Sequence, residues 1–320
     1  MFESAVEEIR KYGTIIIHRH KSPDGDAIGA QTGLKLILSA AFPEKKIYAV
    51  GDCNPRFSFL EGAEPDVIPD EAYENALSVI LDTSQKAMIA DERWSSARRS
   101  LRIDHHVYCE RIAAVDLSDP SFESCSGMIA AFAGEAGWRI PKAAARALYT
   151  GMVTDTGRFR YGCTSPRTLR LAASLIETGQ FDAASLYSSL YQQEFELMVL
   201  RAKFTLRISF TAHRVAYIYT SKEELEALGT DIRTASRGMV GTMADIRGSD
   251  LWVNFTEAPD GVYAELRSSK YNVNGIAAKY GGGGHPKASG ATLKDRAEAM
   301  ALLNDLDLLA ADGEPERKTT

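Results

Sequence analysis

The sequence predicts an α/β protein with an N-terminal parallel-sheet domain and a smaller α/β C-terminal domain, joined by a helical linker. Three observations lead to this fold class. Short apolar runs alternate with helical patterns over the first half of the chain, which is typical of parallel strands connected by helices. Helical patterns then dominate from about Pro141 to Leu206. Strand patterns return after about His213, which indicates a second sheet.

The strands and helices of the first half are marked by their periodicity. Four segments have the β-branched, apolar character of buried strands. They are Thr14 to Ile17, Lys46 to Val50, Leu77 to Leu81 and Leu101 to Ile103. Helical patterns cover about Ala27 to Ala40 and Ser126 to Ala136. The strands therefore alternate with helices, as a layered parallel sheet requires.

The second half has clear start, stop and turn signals. Ser165 and Pro166 begin a helix, and Gly179 is its expected stop. RVAYIYT predicts a strand, SKEELEALG a short helix, and LWVNFTE with GVYAELRSS a hairpin. NGIAAKY and KDRAEAMALLNDLDLLA predict helices on either side of GGGGHPKASGATL. We expect domains at 1–190 and 213–312, a helical linker at 191–212 and a disordered tail at 313–320.

Composition excludes several classes of protein. At 320 residues the chain is long enough for two domains of ~150 residues each. Its net charge of −6 argues against a broad basic surface for long nucleic acid. The start MFESAVEEIRKYG is acidic where a signal peptide is basic, and no run approaches the ~18 apolar residues of a membrane span. Four scattered cysteines predict reduced thiols and a cytoplasmic protein.

The stretch HKSPDGDA, after the first strand, has two interpretations. Pro-Asp-Gly is ordinary turn chemistry, and Asp26 could cap the helix that follows. The same kind of polar residue, however, follows three more apolar segments. SVILDTS places Asp82 there, LRIDHH places Asp104, His105 and His106, and MVTDTG places Asp155. Because the carboxyl ends of parallel strands share one edge, these side chains should converge.

Converging carboxylates repel one another, and bound cations would remove that conflict. Oxygen and imidazole ligands without a thiolate favour Mn²⁺ or Mg²⁺. Six candidate ligands are too many for one ion and suit two: His20, Asp24, Asp26, Asp82, His105 and Asp155. Two adjacent ions can clamp both oxygens of a phosphoryl displacement, which predicts phosphoester or phosphoanhydride hydrolysis. We interpret His18 as a structural residue of the strand and His213 as a surface histidine.

HKSPDGDA, LDTS, IDHH and TDTG together resemble the four motifs of the DHH phosphoesterases, and GGGGHPKASG resembles the signature of their DHH-associated C-terminal domain. The match extends from about residue 14 to 293. The resemblance implies that His20 and Asp24 bind one Mn²⁺, that His105, Asp26 and Asp155 bind a second, and that Asp82 bridges them. Mg²⁺ or Co²⁺ are expected substitutes. Asp82 and His106 would be catalytic, with His106 facing the phosphate and Asp104 orienting a ligating histidine.

The glycine run Gly281 to Gly284 also has two interpretations. One or two glycines simply end a helix, whereas four followed by a histidine and a lysine suit a backbone that approaches an anion. Arg267 could likewise be a solvated strand end or a phosphate ligand. The resemblance favours substrate binding, in a cleft between the two domains. The implied binding residues are Arg267, Ser268, Ser269, Gly283, Gly284, His285, Lys287 and Arg158.

The family resemblance implies a hydrolase of RNA degradation, in the branch of nanoRNases and pAp phosphatases. Its expected partners are short RNA oligonucleotides of two to four residues, linear dinucleotides such as pApA or pGpG, and pAp, with no long nucleic acid and no membrane. Three alternatives stay open: a manganese pyrophosphatase, a RecJ-like single-strand exonuclease and a non-enzymatic nucleotide-binding regulator. A homodimer also stays open.

Overall fold

The computed structural model describes residues 1–313, and the chain divides into two compact units, Met1–Gln192 and Gln193–Thr320. The tail predicted at 313–320 lies outside the described residues, apart from Gly313. No helix in the described part of the chain has the length and apolar character needed to cross a lipid bilayer.

The first unit contains the predicted parallel sheet. Its strands are β1 (Thr14–His18), β2 (Lys46–Ala49), β3 (Ala76–Leu81), β4 (Arg99–Asp104) and β5 (Val115–Ser118). They pair in the order β2-β1-β3-β4-β5, and every pair is parallel. Strand β5 was not predicted, because Val-Asp-Leu-Ser is short, half-buried and has only two apolar residues.

Helices cover one face of this sheet. In chain order they are α1 (Glu3–Lys11), α2 (Gly25–Ala41), α3 (Cys125–Glu135), α4 (Lys142–Asp155), α5 (Pro166–Gly179) and α6 (Ala183–Tyr191). Successive side chains of a strand point to opposite faces, so Ile15 and Ile17 join the main core beneath α2, α3 and α4. Ile16 belongs to a second core cluster with Tyr73. The sheet is thus buried on both sides.

Helices α2 and α4 pack unusually close together at Gly29. A Cβ atom added at Gly29 would lie 2.6 Å from the carbonyl oxygen of Ala147, which is part of the α4 backbone. Only glycine permits this approach. The first turn of α2 carries Asp26, and α4 ends at Asp155. This packing therefore sets the separation of two candidate metal ligands.

The second unit is the predicted second α/β domain. Its elements are α7 (Phe195–Thr205), β6 (Ser209–Phe210), β7 (Ala216–Thr220), α8 (Lys222–Leu228), β8 (Leu251–Ala258), β9 (Gly261–Ser268), α9 (Asn274–Lys279), β10 (Gly283–His285), β11 (Ala288–Leu293) and α10 (Arg296–Asp312). The six strands pair in the order β10-β11-β9-β8-β7-β6. Only β7 and β8 are parallel among these pairs.

Two features of the second unit differ from the simple sequence pattern. The glycine run enters the sheet, because Gly283 and Gly284 belong to the edge strand β10, which pairs with β11. The segment Thr234–Gly238, for which we predicted no element, forms a π-helical turn and packs against β8 and β9. Such turns often occur at functional sites.

Candidate metal centre

The candidate metal centre lies where the chain order of the parallel sheet reverses. In the order β2-β1-β3-β4-β5 that point lies between β1 and β3, which is where open α/β sheets bind ligands. His20 follows β1, Asp82 follows β3, and the β1–β3 register pairs His18 with Ile80. Two residues further along both strands, His20 and Asp82 therefore lie side by side, with Nε2 to Oδ2 at 3.6 Å.

The two aspartates of HKSPDGDA have different structural roles. Asp24 is the N-cap of α2, since its carboxylate accepts the N–H groups of Asp26 (2.9 Å) and Ala27 (3.1 Å). The turn interpretation, in which Asp26 caps this helix, is wrong. Asp26 lies within the first turn, and its carboxylate accepts the N–H groups of Cys125 (2.7 Å) and Ser126 (2.8 Å) at the start of α3.

The six residues predicted as ligands form three overlapping groups together with His106. One group is His20, Asp24 and Asp82, a second is Asp26, His105 and Asp155, and a third is Asp82, His105 and His106. Within each group the ligand atoms lie within 4.8 Å of one another. His105 Nε2 lies 3.5 Å from Asp82, 3.7 Å from Asp155 and 3.9 Å from Asp26. Asp82 and His105 thus connect the groups, as a two-ion site requires.

The electrostatics of the centre are those of crowded, buried carboxylates. Burial raises the pKa of Asp26 well above its usual value, and the negative charges of Asp82 and Asp155 add to this. Burial also raises the pKa of Asp155, to about 7. Burial opposes ionisation of Asp82 as well, but the neighbouring imidazoles of His105 and His20 outweigh it and hold its pKa below the usual range.

The histidines respond to the same charges with the opposite sign. Burial lowers the pKa of His20, but the carboxylates of Asp24 and Asp82, 3.9 and 3.6 Å away, more than offset it and raise the pKa to about 11. Burial is likewise outweighed at His105, where Asp82, Asp26 and Asp155 raise the pKa to about 11. Protonated imidazoles balance the carboxylates here, and divalent cations would do so with more charge.

The donor set fits hard divalent cations. Asp82 Oδ1 is buried without a hydrogen bond, and imidazole nitrogens of His105 and His106 lie 3.5 and 3.6 Å away. Asp82 also has a φ of +50°, a left-handed conformation that an aspartate rarely adopts, so the chain presents this carboxylate at a cost in backbone strain. Oxygen ligands with a minority of imidazoles suit Mn²⁺ or Mg²⁺ rather than a structural zinc.

His106 is held in a defined orientation by Asp104. Its Nδ1 lies 2.7 Å from Asp104 Oδ1, and its backbone N–H donates to the same oxygen at 3.3 Å. The resemblance placed Asp104 behind a ligating histidine, whereas the structure places it against His106. The reason is local, because an aspartate readily bonds to the residue two positions further along. Burial lowers the pKa of His106, and the hydrogen bond to Asp104 with the charge of Asp82 raises it overall.

The two remaining histidines lie outside the centre. His18 is fully buried, its Nε2 lies 3.3 Å from Ser78 Oγ, and burial lowers its pKa to about 4. His18 is thus a buried, neutral imidazole, which agrees with its interpretation as a structural residue of the strand. His213 is half-exposed, as expected, but its Nδ1 lies 3.0 Å from Asp307 Oδ2. That carboxylate is 94 residues away in the chain, so the sequence could not indicate the pair.

A cavity of about 940 Å³ in the second unit contains some of the predicted substrate-binding residues. Arg267, Gly283 and Gly284 line it, while Ser268, Ser269, His285 and Lys287 are not among its lining residues. Ser268 and Ser269 instead bond to the backbone and carboxylate of Asp250, at 2.9 and 2.8 Å. The Lys287 ammonium donates to the backbone of Lys270 at 2.5 Å. In the first unit, the Arg158 guanidinium lies over the ring of Tyr191.

Two arginines that line this cavity were not predicted. Arg233 lies just before the π-helical turn, and Arg237 lies within it. Their spacing of four residues, in DIRTASRG, places them on one side of a helical segment. That spacing was the available signal, but without the tertiary structure it does not distinguish a binding surface from a solvated one.

Two family models match this chain: the DHH family, N-terminal domain, over residues 14–152, and the DHHA1 domain over residues 229–312. The bifunctional oligoribonuclease and PAP phosphatase NrnA of Bacillus subtilis is 38% identical over 97% of this chain and 98% of that protein. NrnA of Thermus thermophilus is 32% identical over 88% and 85%. The crystal structure of an exopolyphosphatase-related protein from Bacteroides fragilis superposes with a TM-score of 0.87 at 24% identity, covering 97% of each chain, and shares the fold.

Proposed function

This chain belongs to the DHH family, and from that membership and the geometry of the site we propose that it is a Mn²⁺-dependent phosphodiesterase. Its substrates are short oligoribonucleotides of two to four residues, such as pApA or pGpG, which it hydrolyses to nucleoside 5′-monophosphates. It also hydrolyses pAp to AMP and phosphate. One observation carries the proposal: carboxylates and imidazoles from four separate motifs form overlapping ligand groups connected by Asp82 and His105.

In this proposal the centre holds two cations. His20 and Asp24 would hold one, Asp26, His105 and Asp155 would hold the other, and Asp82 would be a ligand common to both. Mg²⁺ or Co²⁺ replaces Mn²⁺ when it is absent. When bound, the cations stabilise the negative charge on the phosphoryl oxygens and so make the phosphorus open to attack by water.

His106 acts on the phosphate in this proposal. The bond from Nδ1–H to Asp104 fixes the plane of the ring, so that an imidazolium at this position carries its second N–H at Nε2. Because Asp104 and Asp82 favour the imidazolium form, Nε2–H can donate a hydrogen bond to a phosphoryl oxygen or a proton to the leaving oxygen. Asp104 is the positioning residue for this step.

The second unit supplies substrate-binding residues in this proposal. Arg267 and the glycine backbone at Gly283 and Gly284 line its cavity and suit a phosphate group. Roles for Ser268, Ser269, His285, Lys287 and Arg158 remain part of the proposal. A cytoplasmic location and a homodimer belong to it as well.

Hydrolysis of pApA, pAp, pyrophosphate and a long single-stranded RNA, measured in parallel with Mn²⁺ and with chelator, tests the proposal. Asp82→Ala and His20→Ala should abolish turnover of pApA and pAp, whereas His213→Ala, a half-exposed histidine elsewhere in the chain, should not change it. Turnover of pyrophosphate alone would indicate a pyrophosphatase, and turnover of the long strand alone would indicate an exonuclease. Activity that survives Asp82→Ala would contradict the proposed site.

A further inference from the structure

The cavity of the second unit has a marked excess of positive charge. Its described lining residues include Arg233, Arg237 and Arg267, with Glu265 as the single carboxylate. Most of the other lining residues are small, and at Gly283 an added Cβ would meet no atom within 4 Å, so this residue borders open space. A cavity with three guanidinium groups, one carboxylate and exposed backbone suits an anionic ligand.

Glu265 occupies the centre of this charge arrangement. Residues 263, 265 and 267 of β9 share one face of the strand and all line the cavity. One carboxylate oxygen of Glu265 accepts from Arg237 Nε at 3.0 Å, and the other accepts from Arg267 at 3.1 Å. Glu265 is only 9% exposed, so its bridging geometry is held by the surrounding sheet.

A carboxylate between two guanidinium groups has a definite physical effect. The carboxylate offsets the repulsion between the two guanidinium groups, and it fixes the orientation of each guanidinium plane before any ligand binds. The Arg237 side chain is 73% exposed, and its observed bond to Glu265 uses Nε. Arg267 is further fixed by a bond to the backbone oxygen of Leu266 at 2.8 Å.

We propose that Glu265 is a positioning residue that holds Arg237 and Arg267 as a paired receptor for a terminal phosphate of the substrate, with Arg237 as a phosphate-binding residue. The inference rests on the proposed function and identifies the part of the substrate that this cavity recognises. A terminal phosphate monoester has a charge of about −1.5 to −2 at pH 7 and three acceptor oxygens. An internal diester has a single charge and two such oxygens, so the paired receptor matches the terminal group better.

The test compares two substrates with the same scissile bond. Diadenylate with a 5′-phosphate, pApA, and the same dinucleotide without it, ApA, are hydrolysed by wild type, Arg237→Ala, Arg237→Lys and Glu265→Gln. Arg237→Ala should raise KM for pApA by about 10- to 100-fold, the range for charged hydrogen bonds, with little change in kcat. The kinetics of ApA should not change. Arg247→Ala, an exposed arginine of the same unit that does not line the cavity, is the matched control.

Glu265→Gln distinguishes positioning from plain electrostatics. This substitution makes the cavity more positive, so a carboxylate that only repels anions would give a lower KM for pApA once removed. A positioning carboxylate gives a higher KM, by about tenfold, because the glutamine amide can accept from one guanidinium but repels the other. Arg237→Lys keeps the charge without the planar fork, and it should restore only part of the loss.

Three results would overturn the inference: equal losses for pApA and ApA in Arg237→Ala, an unchanged KM in that variant, or a lower KM in Glu265→Gln. If the wild-type protein hydrolyses neither dinucleotide, the proposed function is wrong, and the inference about the cavity is then tested by binding instead of by kinetics. Calorimetric binding of pAp in the presence of chelator then decides, since Arg237→Ala must weaken it about tenfold or more and Arg247→Ala must not.

Discussion

Replacing Gly29 with alanine tests how the packing of α2 against α4 positions the metal centre. The new Cβ would lie 2.6 Å from the Ala147 carbonyl oxygen, and ordinary van der Waals contact begins at 3.4 Å. The helices must therefore separate by about 0.8 Å, the difference between these distances. The obstructing atom belongs to the backbone, so no side-chain rotation relieves the contact.

Two opposing terms set the change in the free energy of unfolding. Overpacking a core costs about 1–3 kcal/mol, and a rigid backbone atom favours the upper part of that range. Alanine recovers about 1 kcal/mol of helix propensity relative to glycine. We expect a net loss of about 1–2 kcal/mol. A shift of Asp26 against Asp155 by a similar distance should also lower turnover by up to about 100-fold.

The matched control is Gly134→Ala, in the exposed part of α3, where an added Cβ meets no atom within 4 Å. This variant should be stabilised by about 0.5–1 kcal/mol. Calorimetric melting of the full chain should therefore separate the two variants by about 4–10 °C, and Mn²⁺-dependent hydrolysis of pApA should fall only in Gly29→Ala. If Gly29→Ala melts at or above wild type with unchanged turnover, the close packing does not control the site.

Three further predictions concern buried charge. Asp82→Asn keeps the shape of the side chain but removes its charge. The pKa values of His20 and His105 should therefore fall from about 11 towards 6.5 in an NMR titration of the metal-free protein. Unchanged pKa values would contradict this electrostatic explanation. Those imidazoles must lose a proton to bind a metal, so Mn²⁺ binding should release protons at pH 8 and should become stronger as the pH rises. Released protons are taken up by the buffer, so the calorimetric binding enthalpy should differ between buffers of different ionisation enthalpy. Equal binding enthalpies would argue against proton release. Arg102 is fully buried, with its guanidinium 2.6 Å from Asp116 and 3.7 Å from Asp104. Arg102→Met removes this cation from both carboxylates and should cost about 3–5 kcal/mol in urea unfolding, whereas the exposed Arg170→Met should change stability little.

Local patterns were sufficient for most of the secondary structure. Short apolar runs rich in β-branched residues predicted β1 to β4, and the predicted helix start at Ser165 has a capping box in the structure. The convergence of HKSPDGDA, LDTS, IDHH and TDTG at one sheet edge was also predicted, because parallel topology dictates it. The assignment of each ligand to a particular ion stays a prediction.

Longer-range relations could not be predicted in this way. Asp26 bonds to the start of α3, about 100 residues away, and that contact depends on how two helices pack. The pairing of Glu265 with Arg237 depends on a π-helical turn that no periodicity indicated. The short strand β5 is stabilised by its neighbour β4 rather than by its own residues.

The sequence by itself therefore determined which residues stand at the ends of strands and helices, since hydrogen bonding and apolar periodicity act within about ten residues. Only the tertiary structure decided which side chains form hydrogen bonds and ion pairs with groups far away in the chain. It joined Asp26 to the start of α3, His213 to Asp307, and Glu265 to Arg237. These pairings depend on strand register and helix packing to within an ångström, which no local pattern specifies.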